Sequence, residues 1–229
     1  MHAPASTRRD DGFVRRRVRD IFQVPFYRKY HMTDPTTDHQ HTVYLIRHAQ
    51  PMNLGDATLR YDMPPGPPLS ADGRAQAAMA ASFLAGNPPT VVYTSPLDRA
   101  MQTAQIIAAQ LGVPLAIDER LAEHRHEETA DQVTARVAEF WHERVTTAPP
   151  GPLRVALVSH GSPIKLMLTP LGDVWTADPE RYKFDYGNIV PHAGIWRARC
   201  EAVGSDHTCR WELALIFRTF AASTAAVKH

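Results

Sequence analysis

The chain is poor in cysteine, with two in 229 residues, and it has no apolar run approaching the roughly 20 residues that span a bilayer. The first scarcity excludes a disulfide-stapled miniprotein and a cysteine-rich zinc module. The second excludes an integral membrane protein built on spanning helices. Charge of one sign is scarce as well, since 25 basic and 24 acidic residues leave a formal charge of +1. That balance hides a division. Residues 1–31 hold eight basic and three acidic groups, so the rest of the chain is net acidic. An acidic body gives no footing for nucleic acid, whose phosphates must be neutralised by clustered Lys and Arg. Residues 1–40 therefore read as a basic, disordered leader and residues 41–229 as one folded domain. Arg8 and Arg9 form a pair with no apolar segment after it, which argues against a secretion signal and for a cytoplasmic location. In that setting Cys200 and Cys209 are expected to be free thiols.

What the chain does have is a regular alternation of two periodicities. Short β-rich apolar runs occur at 42–47, 90–94, 115–118 and 154–159. Between them, helical spacing appears at 71–85, 97–111 and 129–146, and a further helix is expected over 163–171. Ser70 reads as an N-cap of the first helix and Gly112 as the stop of the second. Residues 195–200 and 209–216 alternate like two strands joined by a turn near Gly204, an edge hairpin. The pattern predicts an α/β fold: a mostly parallel sheet, helices on both faces and an antiparallel edge. In such folds, sites lie at the carboxyl ends of the strands.

The residues that follow each strand carry the chemistry. They are Arg47 and His48, then Ser95 to Arg99, then Glu123 and His124, then His160 and Gly161. Of these, Arg47, Arg99, His48, His160 and Glu123 around one rim suit phosphoryl transfer. The guanidinium fork matches phosphoryl oxygens and stays charged, and a neutral imidazole can attack phosphorus. Two His-x-His pairs, His39/His41 and His124/His126, raise the question of a metal-dependent hydrolase. His39 and His41 precede the first strand, on the wrong edge for the site, so no metal is assigned.

Four segments in order resemble the histidine phosphatase superfamily, in its phosphoglycerate mutase-like branch. They are Tyr44-Leu-Ile-Arg-His-Ala-Gln50, Pro68-Leu-Ser-Ala-Asp-Gly-Arg-Ala-Gln-Ala77, Tyr93-Thr-Ser-Pro-Leu-Asp-Arg-Ala-Met-Gln-Thr-Ala104 and Val158-Ser-His-Gly161. The resemblance implies that His48 is the nucleophile and that Arg47 and Arg99 clamp the phosphate. It makes His160 both a phosphate ligand and a catalytic group that stabilises the transition state, and Glu123 the acid that protonates the leaving oxygen. It implies no metal and no cofactor. Ala49 departs from the family's glycine, a change that matters only if the backbone there needs positive φ. An asparagine that many mutases carry six residues after the nucleophile is absent, with Leu54 in its place, which weakens a mutase reading. Only 36 residues separate Glu123 from His160, so an open, shallow site is expected. The loop 51–69, with five prolines, is the other candidate wall. The expected activity is metal-independent phosphomonoester hydrolysis through a phosphohistidine, on a small molecule or a phosphoprotein. A phosphoglycerate-type mutase and a non-catalytic phosphate-binding module are the alternatives. Substrate identity and oligomeric state are not legible.

Overall fold

The structure is a computed structural model that describes residues 41–53, 60–147, 152–172, 174, 176–203 and 208–219. The expected leader, the turn near Gly204 and Leu54 lie outside the described residues. Ten elements among the described residues carry the fold: β1 (His41–Arg47), α1 (Ala71–Leu84), β2 (Val91–Thr94), α2 (Asp98–Leu111), β3 (Leu115–Ile117), α3 (Ala130–Trp141), β4 (Arg154–Ser159), α4 (Gly161–Leu168) and the long hairpin β5 (Ile195–Val203) and β6 (Thr208–Phe217). The six strands form one sheet in the order β3-β2-β4-β1-β5-β6. The first four are parallel, and β5 and β6 run antiparallel beside β1. The α/β expectation with an antiparallel edge is borne out.

Strand periodicity divides the core in two. Val43, Leu45, Val155 and Leu157 face one side, where they meet Phe140 and Trp141 of α3, Ile164 of α4, and Trp196. Tyr44, Ile46, Ala156 and Val158 face the other, under α1 and α2. Those two helices meet through alanines (Ala77, Ala80, Ala81, Ala100, Ala104), whose small side chains let the backbones approach closely. Local signals fix the helix ends. Ser70 accepts the Gly73 amide at 3.0 Å, Gly112 turns the chain at φ 66°, and Thr129 with Gln132 forms a reciprocal capping box.

Three differences from the sequence reading have physical content. The helix after β4 starts at Gly161, not Pro163, because a proline in the first turn gives up no intrahelical hydrogen bond. The 129–146 helix is regular only to Trp141 and widens into a π-turn over His142–Thr146, with Val145 still in the core. Cys200, expected as a free thiol, is disulfide-bonded. No described helix is long and apolar enough to cross a membrane.

Register aligns the functional edge: Arg47 of β1 pairs with Ser159 of β4, and Thr94 of β2 with Val158. The residues after these three strands thus leave the sheet side by side. Leu157, fully buried at the centre of the sheet, sets the first prediction. Leu157→Ala should cost about 2–5 kcal/mol in urea unfolding, whereas Ile117→Ala, on the exposed edge strand β3, should stay within about 0.5 kcal/mol.

Candidate active site

His48 sits at the end of β1 with its main chain clamped on two sides: its amide donates to Ser159 O at 2.9 Å, and its carbonyl accepts from the Ala193 amide at 3.3 Å. The imidazole is buried. Nδ1 lies 2.8 Å from Ala49 O. A carbonyl only accepts, so Nδ1 carries the proton and Nε2 keeps its lone pair. Burial, followed by the nearby charges of His160, Arg99, Arg47 and His192, holds the pKa well below the usual 6.5. The ring is a neutral, oriented base. Ala49 has no left-handed backbone; Tyr186 and Ala193 are the non-glycine residues with positive φ among those described. The glycine that the family favours there is dispensable in this chain.

Arg99 leaves the first turn of α2 fully buried. Its Nε, Nη1 and Nη2 have no hydrogen-bond partner among the described residues, and the Glu123 carboxylate stands 4.0 Å from Nη2. The guanidinium lies 4.0 Å from the centroid of the Tyr61 ring. Gly66, at φ +64°, comes so close that a Cβ would stand 3.0 Å from Arg99 Nη1; glycine is required there for both reasons. Arg47 donates from Nη1 to Asp185 at 2.8 Å and to Val190 O at 3.1 Å, which leaves Nε buried and without a partner.

His160 caps α4, with Nε2 2.8 Å from Ser95 Oγ and its ring 5.1 Å from that of His48. Its Nδ1 makes no hydrogen bond among the described residues and lies 3.7 Å from Glu123 Oε2. Burial first, and then Arg99, Arg47 and Arg136, depress its pKa well below 6.5. Glu123 follows the 3-10 turn Glu119–Leu121. Burial raises its pKa, partly opposed by the His124 amide and by Arg99 and Arg47. The five residues singled out in the sequence therefore converge.

Other groups come from places that the sequence reading passed over. Arg136 of α3 donates to the carbonyls of Arg120, Ala122 and Glu123 at 2.6, 2.9 and 3.0 Å, and so fixes the loop that presents Glu123. His192 stands 5.2 Å from the His48 ring. Its Nδ1 is 3.3 Å from His48 O and its Nε2 is 3.3 Å from Asp185 Oδ2. Reading the residues after each strand could not find it. Because β5 runs antiparallel to β1, the residues before β5 lie at the site edge. Gly161 makes room for this segment, since a Cβ there would collide with Asn188. The expectation of an open site is corrected too: His48, Arg99 and His160 are all buried. The cover comes from Tyr61 in the proline-rich loop and from the segment before β5. The short stretch between Glu123 and His160 supplies no lid of its own, but its His126 and Glu127 pin the neighbours of Tyr61.

Residues 43–128 match the family model of the histidine phosphatase superfamily, branch 1. Over 81 residues the chain is 40% identical to the uncharacterized protein Rv0525 of Mycobacterium tuberculosis, covering 35% of this chain and 39% of that relative. Among solved structures, the fold is shared with a mycobacterial glucosyl-3-phosphoglycerate phosphatase complexed with VO3 (TM-score 0.57, 22% identity, 76% of this chain and 97% of that one). It is shared as well with a phosphoglycerate mutase from Bacillus anthracis (TM-score 0.55, 17% identity, 79% and 95%).

A site with two buried imidazoles and a third that is partly buried, all three neutral, has a stability signature. His48 and His160 are held well below 6.5, and His192 is lowered to about 4, by burial before all else. Below pH 6.5 the unfolded chain therefore binds more protons than the native state, and stability falls as pH falls towards 4, by up to about 1.4 kcal/mol per pH unit for each imidazole. Glu123, raised, contributes in the opposite sense, favouring the native state until pH rises through its folded pKa. Urea midpoints should drop between pH 7 and pH 5; a flat profile would contradict the neutral assignment.

Proposed function

We propose that the protein is a metal-independent phosphomonoesterase that works through a phosphohistidine. The observation that carries this reading is a buried Arg99 guanidinium with no hydrogen-bond partner among the described residues, in the same pocket as an imidazole whose proton is fixed on the far nitrogen. Arg47, Arg99 and His160 hold the phosphoryl oxygens. Nε2 of neutral His48 attacks phosphorus as the bond to the alcohol oxygen breaks, and protonated Glu123 gives its proton to that oxygen. The alcohol leaves, His48 carries the phosphoryl group, and Glu123 is now ionised. It then takes a proton from water as that water attacks phosphorus. Orthophosphate departs, His48 is neutral again and Glu123 is reprotonated.

The raised pKa of Glu123 supports its role as an acid. The Ala49 carbonyl on Nδ1 argues against a module that only binds phosphate, because binding alone does not require Nε2 to be kept free. The fold that the chain shares with a phosphatase agrees with this reading, and a mutase shares that fold too. For this chain the reading favours water over a sugar-acid acceptor.

Two measurements check the proposal. Hydrolysis of an aryl phosphate should survive EDTA, vanish in His48→Ala, and leave an acid-labile, base-stable phosphoenzyme in quenched wild type. Glu123→Gln should lose about 10²–10⁴-fold in kcat on alkyl phosphates and far less on 4-nitrophenyl phosphate, whose alcohol leaves without help. Equal losses on both substrates would remove Glu123 from the acid role.

A further inference from the structure

Beyond the phosphate-binding groups, the pocket continues into an aromatic rim. Tyr61 covers the Arg99 guanidinium at 4.0 Å and meets the His48 ring edge-on, with centroids 6.5 Å apart. Its chain neighbours are pinned across the mouth: Arg60 pairs with Asp62 at 2.7 Å and with Glu127 at 3.3 Å, and Asp62 accepts the His126 amide at 2.9 Å. Tyr61 is thus a fixed wall, yet 46% of it stays exposed. Tyr186 follows Asp185, the residue whose carboxylate meets Arg47. It is 99% exposed and held in the left-handed region at φ 56°, immediately before Gly187 at φ 75°.

A bulky residue in left-handed backbone is strained, and such strain gathers at ligand clamps. A fully exposed aromatic ring is an apolar face that a second ring can cover. The two tyrosines are among the eight exposed large hydrophobic side chains of the described residues. The arginine of the rim, Arg60, is already taken by two carboxylates, so it offers no free cation for an acidic substrate.

From this juxtaposition we infer that the alcohol half of the substrate is aromatic and stacks on Tyr61 and Tyr186 while its ester oxygen lies against Glu123. The inference rests on the phosphohydrolase reading for where the phosphoryl group sits. Phosphonates test it without turnover, and so without any bias from leaving-group acidity. Methylphosphonate, benzylphosphonate and phosphonoacetate are titrated into the full chain by calorimetry. Benzylphosphonate should bind about tenfold tighter than methylphosphonate, the scale expected of a stacked, partly buried ring. Phosphonoacetate, which carries a carboxylate instead, should gain nothing. Tyr186→Ala, on an exposed side chain, and Tyr61→Leu should each shrink the benzyl-to-methyl ratio towards one. Equal binding of benzyl- and methylphosphonate, a preference for phosphonoacetate, or a ratio that survives both substitutions would overturn the aromatic rim alone. Failure of orthophosphate and all three phosphonates to bind would overturn the phosphate pocket, and the rim with it.

Discussion

A guanidinium out of water with no hydrogen-bond partner is an expensive thing for a fold to hold, by several kcal/mol for an unpaired buried ion. Arg99 is in that position among the described residues, with only a carboxylate at the limit of ion-pair distance and an aromatic face beside it. Burial depresses its pKa from the ordinary arginine value, yet arginine remains charged across any working pH. The surrounding architecture reads as a consequence. The alanine-lined contact of α1 with α2 anchors the helix that carries Arg99, Gly66 yields the space beside Nη1, and Tyr61 provides the one soft contact. On the proposed reading, a dianionic phosphoryl group is the partner that this arrangement leaves out.

The same positive field determines how the neighbouring groups behave. Imidazoles beside two arginines and out of water stay neutral, which is the state that the role proposed for His48 requires. Glu123 is pulled the other way: burial favours its protonated form, and the arginines only partly oppose it. One desolvated pocket thus shifts the imidazoles towards their unprotonated form and Glu123 towards its protonated form. Function here costs stability, since burial works against the ionised forms of Glu123 and Arg99 that water favours.

Much of this was legible in the residues. Both-face apolar runs such as Tyr44-Leu45-Ile46 and Val155 to Val158 announced central parallel strands, and the residues that follow them announced the site. Arg47, His48, Arg99, Glu123 and His160 do converge. What was not legible depended on direction and on tertiary approach. Asp185 and His192 reach the site because β5 is antiparallel, which reverses the end of the strand that matters. Tyr61 sits in a proline-rich loop whose path no periodicity encodes. The short stretch between Glu123 and His160 suggested an open site, but the covering residues come from elsewhere in the chain. Cys200 followed geometry on the hairpin rather than the redox argument.

The central claim, that Arg99 is held at a cost against an anion still to come, is tested most directly by Arg99→Met. Thermal midpoints of this variant and of wild type are compared with and without orthophosphate. On this account the variant is more stable than wild type in phosphate-free buffer, because an unpaired buried cation has been replaced by an apolar chain of similar reach. It also loses the rise in midpoint that orthophosphate gives the wild type. A variant that is less stable without phosphate, and that responds to phosphate as the wild type does, would contradict the account.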